Sequence, residues 1–279
     1  MADPTSPKPQ VLTNKPAAFC LWLFGVLFAI AAGLEVVSLF KPLGYVSQLD
    51  AACILFAAVG TLASLWRQLP LQNVLLAAAG IAVIGGGFSA FGASSLGAKT
   101  GLPFGPFIFG SAMGPRLFNN LPWAMPLVWV VVILNSRGVA RMVLRPWRKN
   151  KTYGYRVIGL TALLVVLFDV ALEPFAFRVK HFWNWLPTSF PVTWQCASPV
   201  NFVSWGFITV LILLFINPAL IVKRPRSKSG PQYYSLGLWL GAVLLFGLAC
   251  AVNWIWPPVI VDAGIVIAVT VFAVRGARW

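Results

Sequence analysis

The stretch YRVIGLTALLVVLFDVALEPFAF, residues 155–177, decides the fold class of this chain. A helix needs about 20 mostly apolar residues to cross the hydrocarbon core of a bilayer, and this stretch has that length. Its second half also carries Asp169 and Glu173. An ionised side chain in hydrocarbon costs about 2.5 kcal/mol or more unless it is paired, neutralised or faces a cavity. Both acids are therefore candidate functional residues.

Seven further apolar runs flank this one. The chain is 59% hydrophobic and only 10% charged, with a mean hydropathy of +0.83. A soluble domain of this length does not need so many apolar residues to form its core. The eight predicted spans cover about residues 16–40, 47–66, 71–97, 121–140, 155–177, 199–222, 234–255 and 258–274. We therefore predict an all-α, polytopic membrane helix bundle with about eight transmembrane helices.

The tail and the individual spans add further expectations. Residues 1–15 form a polar N-terminal tail, and residues 16–279 form a single integral-membrane helical domain. The tail lacks the short basic segment of a cleavable signal peptide, so none is expected. The last span is expected to be the shortest, and the third to be tilted or broken at Gly85, Gly86 and Gly87.

The basic residues indicate the orientation. With eight spans, sixteen of the 21 Lys and Arg residues fall on the side of the N-terminus and five on the other. This positive-inside bias places both termini in the cytoplasm, which for a bacterial or archaeal chain means the prokaryotic cytoplasmic membrane. The net charge of +15 thus predicts contact with membrane lipid headgroups through residues 137–151 and 223–228, and no nucleic acid partner.

The same topology brings the membrane acids to one side. Five of the six carboxylates are expected in the external half of the bundle: Glu35, Asp50, Asp169, Glu173 and Asp262. Asp169 and Glu173 are four residues apart, so they share one helix face. Two such carboxyls do not easily ionise together in a low dielectric, which leaves an acid beside a base. The alternative is that each acid pairs with a buried cation or a backbone donor.

Two external loops are unusually apolar. Residues 97–120, GAKTGLPFGPFIFGSAMGPRLFNN, are too rich in Gly and Pro for a helix and too apolar for a solvated linker, so we expect them to dip into the membrane face. Residues 177–202 contain Trp183, Trp185 and Trp194, which individually read as an interfacial aromatic belt. Together, aromatic faces around a buried acid are also suited to stabilising a carbocation.

Metal and disulfide sites are not indicated. The four cysteines have no CxxC spacing, and His181 is the only histidine, so we interpret His181 as an interfacial side chain. The glycines of residues 77–92, AAAGIAVIGGGFSAFG, lack the strand-turn-helix context of a dinucleotide site. They are more typical of close contact between helices.

Several motifs give the chain a family resemblance. Thr100 to Gly105 form a TGxPFG stretch, Gly114 to Phe118 a GPxLF turn, and Pro126 to Trp129 a Pro-Leu-x-Trp element. Asp169, Glu173 and Pro174 follow an acid-x-x-x-acid-Pro pattern, and Asn201 to Trp205 form an Asn-Phe-x-x-Trp element. Over about residues 85–215 the chain resembles the membrane carotenoid biosynthesis proteins that include the carotenoid 1,2-hydratases.

The resemblance implies an activity and a substrate. It implies the addition of water to the terminal C=C bond of an acyclic carotenoid or related isoprenoid, with Asp169 and Glu173 as catalytic acid and base. The expected substrate-binding residues are Asn201, Trp205, Trp183, Phe107, Phe109 and Glu35. No metal or redox cofactor is required. The lipophilic substrate would come sideways from lipid, and other carotenoid-pathway enzymes are candidate partners.

Two other functions stay open. Phe107 and Phe109 stand where the family usually has tyrosines, which favours a non-catalytic carotenoid-binding or pigment-complex membrane protein derived from that family. A small-solute transporter would need a polar path to the cytoplasmic side. The sequence offers no membrane acids on that side to build one.

Overall fold

A computed structural model describes residues 15–40, 46–187, 190–221 and 233–279. Within these ranges it contains eight helices long and apolar enough to cross a membrane and one short helix, which confirms the predicted polytopic bundle. The helices are α1 (Lys15–Phe40), α2 (Val46–Trp66), α3 (Leu71–Gly92), α4 (Ser95–Thr100), α5 (Met125–Val143), α6 (Tyr153–Pro174), α7 (Pro199–Ile216), α8 (Tyr233–Val252) and α9 (Trp256–Ala277). The expected polar tail up to residue 14 and the basic stretch 223–228 lie outside the described residues.

The expectation that the last span is the shortest is wrong, and the third span has no break. The last helix, α9, runs from Trp256 to Ala277 and is as long as α3, because its Pro257–Pro258 pair lies in the first turn, where missing N–H groups cost nothing. The helix α3 is continuous through Gly85–Gly87, and the chain turns only after Gly92.

The glycines of α3 permit a close helix contact instead. A Cβ atom built on Gly85 would overlap the indole of Trp129, and one on Gly86 would lie 3.1 Å from Pro126. Both partners belong to α5, the central helix, which packs against α2, α3, α6, α8 and α9. The small residues thus let α3 approach α5 at the depth of Trp129, as the sequence indicated.

One end of the bundle, here called the loop end, carries short strands that an all-α prediction does not include. Strand β1 (Phe107–Phe109) pairs antiparallel with β4 (Trp183–Trp185), and β2 (Arg116–Leu117) pairs with β3 (Leu121–Pro122). Side chains alternate along a strand, so Phe107 and Phe109 are buried while Ile108 is exposed. The apolar loops therefore cover the end of the bundle with ordered structure.

The TGxPFG motif forms the turn that leads into β1. Gly101 ends α4 with a left-handed φ of 69°, and its N–H donates to the carbonyl of Gly97 at 2.8 Å. Gly105 has a φ of 104° and donates to the carbonyl of Gly101 at 2.7 Å. Both conformations favour glycine. Between them, Phe104 packs into the bundle, 3% exposed.

Candidate functional site

Pro174 shapes the end of α6 that holds the paired acids. Proline has no N–H group, so the carbonyl of Val170, four residues earlier, loses its helical partner. The indole Nε1 of Trp194 donates to that carbonyl at 3.0 Å. Beyond Pro174 the backbone widens into a π-helical turn, Phe175–Val179, a distortion that is frequent at functional sites. The turn delivers the chain into β4.

Asp169 lies inside the bundle and contacts α7. Its side chain is 1% exposed, and the Nδ2 of Asn201 donates to its Oδ2 at 2.7 Å. The other oxygen, Oδ1, is buried without a hydrogen-bond partner among the described residues. A buried acceptor left unpaired costs about 1–3 kcal/mol, so this carboxyl group is a candidate to hold a proton.

Glu173 lies one turn further along α6 and is also 1% exposed. Its Oε1 accepts hydrogen bonds from two indoles, Nε1 of Trp183 at 2.8 Å and Nε1 of Trp185. These two residues are two apart on β4, so the pleat directs both side chains to the same face of the strand. The second oxygen of Glu173, Oε2, is buried and unpartnered among the described residues.

A small cavity of about 20 Å³ adjoins Glu173. A cavity of roughly 10–15 Å³ already holds one water molecule, so this one has room for about one. Its polar walls come from Glu173, Asn201 and Ser89, and the rest is mostly aromatic. The aromatic walls are Phe104, Phe107, Phe109, Trp183, Trp185 and Trp205.

The aromatic walls are held by contacts of their own. Trp129 and Trp205 stack with ring centroids 3.9 Å apart, and Phe104 packs against both. The indole of Trp129 donates to Ser89 Oγ at 2.9 Å. Phe107 and Phe109 meet edge to face, with centroids 5.2 Å apart. These contacts hold the rings of Phe104, Phe107, Phe109 and Trp205 in the walls of the small cavity.

Glu35, predicted as a substrate-binding residue, belongs to a different cluster. Its Oε1 accepts from the Nζ of Lys180, which also lies 3.0 Å from Asp50 Oδ1. The three side chains are nearly inaccessible and join α1 and α2 to the chain beyond α6. Burial disfavours the charge on Lys180, but Asp50 and Glu35 outweigh it and raise the pKa of Lys180 above its ordinary value.

This cluster lies beside a second, much larger cavity of about 420 Å³, within the usual range of small-molecule sites. Glu35 and Asp50 are the carboxylates in its wall, which is otherwise mostly apolar and is formed by side chains from α1, α2, α5, α6 and α8 and from the loop end. Its rim includes Leu244 and Leu248 of α8, both exposed on the outside of the bundle. The large cavity therefore reaches the surface that faces lipid in a membrane.

Trp183 lines both cavities. The predicted site residues thus divide around it: Glu173, Asn201, Trp205, Phe107 and Phe109 surround the small cavity, and Glu35 lines the large one. Asp169 lines neither cavity and reaches the site through Asn201.

The remaining membrane acid, Asp262, lies apart from both clusters. It is 2% exposed, and neither of its oxygens has a partner within the described ranges. The described His, Cys, Asp and Glu side chains form no group of three or more that could hold a metal ion.

Sequence reasoning missed Lys180 and Trp185 as site residues. Trp185 could have been found, since the Trp-Asn-Trp spacing of Trp183 and Trp185 puts two indoles on one face of an extended segment. Lys180 had a weaker signal. It is one of few cations on the side where the unpaired acids were expected, but pairing it with Glu35 and Asp50 requires the packing of α1 and α2 against the end of α6.

Comparison with known proteins identifies a relative of this chain. Over 140 residues the chain is 28% identical to bisanhydrobacterioruberin hydratase of Haloarcula japonica, a match that covers 49% of this chain and 45% of that protein. The chain thus aligns with less than half the length of this relative. No solved structure matches the chain.

A family-wide comparison covers more of the chain. The model of the family described as carotenoid biosynthesis protein matches residues 49–270, well beyond the 85–215 stretch in which the resemblance was seen. Two short motif regions had suggested a narrower relationship than the match shows. The chain belongs to the carotenoid biosynthesis protein family.

Proposed function

We propose that this protein adds water to the terminal trisubstituted C=C bond of an acyclic carotenoid or related isoprenoid. The observation that carries the proposal is the pair Asp169 and Glu173, each buried with one unpartnered oxygen. Glu173 lines an aromatic cavity with room for one water, and Asp169 is joined to that cavity through Asn201. The hydratase named among its relatives supports the same reaction.

The reaction divides between an acid and a base. A neutral carboxyl protonates the less substituted alkene carbon, and the π electrons form the new C–H bond, leaving a tertiary carbocation. Water then forms the C–O bond and passes a proton to the other carboxyl. We assign the base to Glu173, because two indole N–H groups favour its carboxylate form, and the acid to Asp169.

The surrounding residues stabilise the carbocation and orient the water. The faces of Trp205, Trp183 and Phe107 attract positive charge through the ring quadrupole, which favours the carbocation. Asn201 lines the small cavity while its Nδ2 binds Asp169, so its amide oxygen is free to orient the water. No step of this reaction requires an oxidant or a reductant.

The two cavities give the reactants separate places. The small cavity is too small for an isoprenoid end group, whereas the large cavity is apolar and opens toward lipid. The chain end reaches Glu173 only when the indole of Trp183 turns away from the wall it shares between the cavities. The substrate enters the large cavity sideways from the membrane.

The proposal also includes the orientation: both termini lie in the cytoplasm of a prokaryotic cell.

The test is product formation in cells that accumulate lycopene. Cells that express the unmodified chain should yield a carotenoid heavier by the mass of one water, and the Glu173→Gln variant should not. Asp262→Asn is the matched control, since it removes a buried membrane acid that lines neither cavity. Absence of any water adduct at normal protein levels would overturn the hydratase proposal.

A second function is favoured by the large cavity itself. A non-catalytic carotenoid-binding protein needs an apolar cavity but no acid-base pair, and Phe107 and Phe109 offer only hydrocarbon rings to the small cavity. Retention of unaltered polyene by the purified protein, with no water adduct in cells, would favour this alternative.

A further inference from the structure

The polar corner of the large cavity has one unsatisfied group. Glu35 is 2% exposed and lines the cavity, and its Oε1 is bound by Lys180. Its Oε2 has no hydrogen-bond partner among the described residues. A buried carboxyl group in the wall of an otherwise apolar cavity is complementary to a ligand with one polar group and a long apolar body.

The charges of the cluster limit which polar group the ligand can carry. Two carboxyls face one ammonium, so an anionic headgroup such as a phosphate or carboxylate would be repelled. A hydroxyl fits Glu35 in either protonation state, because it donates to a carboxylate and accepts from a carboxylic acid. The apolar wall, which includes Phe28, Phe168 and Phe246, fits a hydrocarbon chain.

We propose that the large cavity binds an isoprenoid alcohol, with the hydroxyl hydrogen-bonded to Oε2 of Glu35 and the chain leaving between α1 and α8 at Leu244 and Leu248. The choice of an isoprenoid rests on the proposed function, whose product is a tertiary alcohol on an apolar chain. The role assigned to Glu35 is recognition of the alcohol rather than the chemistry of hydration.

Because of the contacts of Lys180, Glu35 can be replaced without loss of the ion-pair cluster. Lys180 bridges Glu35 and Asp50, so replacement of Glu35 by leucine leaves one ammonium paired with one carboxylate. The cluster then stays balanced in charge, which protects the fold. The replacement removes the acceptor that the alcohol would use.

Binding is measured with the Glu173→Gln protein in lipid nanodiscs, so that turnover cannot alter the ligand. The probes are lycopene and its 1-hydroxy-1,2-dihydro derivative, followed by quenching of tryptophan fluorescence. The alcohol should bind about tenfold more tightly or better, since a hydrogen bond to a charged group contributes about 1.5 kcal/mol or more. In Glu35→Leu the ratio of the two affinities should fall to about one.

A second pair of variants locates the ligand independently of Glu35. Gly241 lines the large cavity and Gly237 does not; both lie on the exposed face of α8, and an added Cβ would meet open space at either. Gly241→Phe should weaken binding of both probes, and the matched Gly237→Phe should leave it unchanged.

The outcomes are separable from those of the hydration test. Equal affinity for the two probes, or an unchanged preference in Glu35→Leu, would overturn recognition of the hydroxyl. Equal effects of Gly241→Phe and Gly237→Phe would place the ligand outside this cavity. A purified protein that retains phospholipid and binds neither polyene would show that lipid acyl chains occupy the cavity. Hydration in cells, scored separately, reports only on the proposed function.

Discussion

The indole of Trp183 donates to Oε1 of Glu173 at 2.8 Å while the same side chain forms a wall of the large apolar cavity. One residue thus holds the carboxylate and separates it from the space suited to an isoprenoid chain. The side chain is positioned by β4, whose partner strand β1 contributes Phe107 and Phe109 to the small cavity. Any exchange between the two cavities involves this side chain.

The first prediction concerns the acid pair. Asp169→Asn and Glu173→Gln should each lower hydration turnover by roughly 10² or more, because each amide keeps the size of the side chain and removes the titrating proton. Turnover is measured as water adduct per unit of membrane protein. His181→Asn is a suitable control, since His181 is exposed and its φ of 53° suits asparagine. Normal activity in both amide variants would exclude the acid-base mechanism.

The second prediction concerns the indole donors. Trp185→Phe keeps an aromatic ring and removes one N–H donor to Glu173, so turnover should fall by about tenfold to a hundredfold, in line with a hydrogen bond to a charged group. Trp194→Phe removes an indole donor that binds the carbonyl of Val170 instead. If both variants lose activity equally, the indole of Trp185 has no special role at Glu173.

The third prediction tests the orientation. Reporter fusions at Lys149 and at Arg226 should both report a cytoplasmic location. With eight helices, sixteen of the 21 basic residues, these two among them, fall on the same side of the membrane as the N-terminus. A fusion at Ser111, in the loop end, should report the opposite side. External signal at Lys149 or Arg226 would reverse the bundle and place both acid clusters near the cytoplasm.

The helices were predictable because hydrocarbon imposes a simple rule on them. Every backbone polar group must be satisfied inside the membrane, so long apolar runs become helices, and the apolar runs of the sequence indicate about eight. The position of Asp169 and Glu173 on one face followed from helical periodicity. Asn201, which belongs to the second motif of the family resemblance, contacts Asp169 in the structure.

The division of the site into two cavities could not be predicted from the sequence. It depends on which helix packs beside which, and apart from the pairing of Asp169 with Glu173 the sequence only indicated that all five acids share one side of the bundle. Glu35 joins Asp50 only because α1 and α2 pack together and Lys180 reaches both. Similarly, β1 pairs with β4 and brings residues 107–109 to residues 183–185. Such a contact between distant segments cannot be predicted from local sequence patterns.

The fourth prediction tests the close contact of α3 with α5. Gly85→Val should destabilise the protein by about 1–3 kcal/mol and disturb the stacking of Trp129 on Trp205, because the new side chain would overlap the indole of Trp129. Gly87→Val is the matched control on the same helix, where an added Cβ meets nothing within 4 Å. Thermal unfolding in detergent, followed by tryptophan fluorescence, compares the two. Equal unfolding midpoints would contradict the predicted overlap.

The last prediction concerns the balance of charge around Lys180. Lys180→Met leaves Glu35 and Asp50 buried near each other with no cation, so the variant should lose about 3–5 kcal/mol of stability, the usual cost of removing one partner from a buried ion pair. Adding Glu35→Gln and Asp50→Asn to Lys180→Met removes both uncompensated charges and should recover most of that loss. The comparison uses unfolding midpoints of the single and triple variants in the same detergent. Because the predicted loss comes from unpaired charge, a triple variant no more stable than Lys180→Met alone would show that Lys180 acts through packing, for which its 5.8 Å approach to the ring of Phe175 provides the contact.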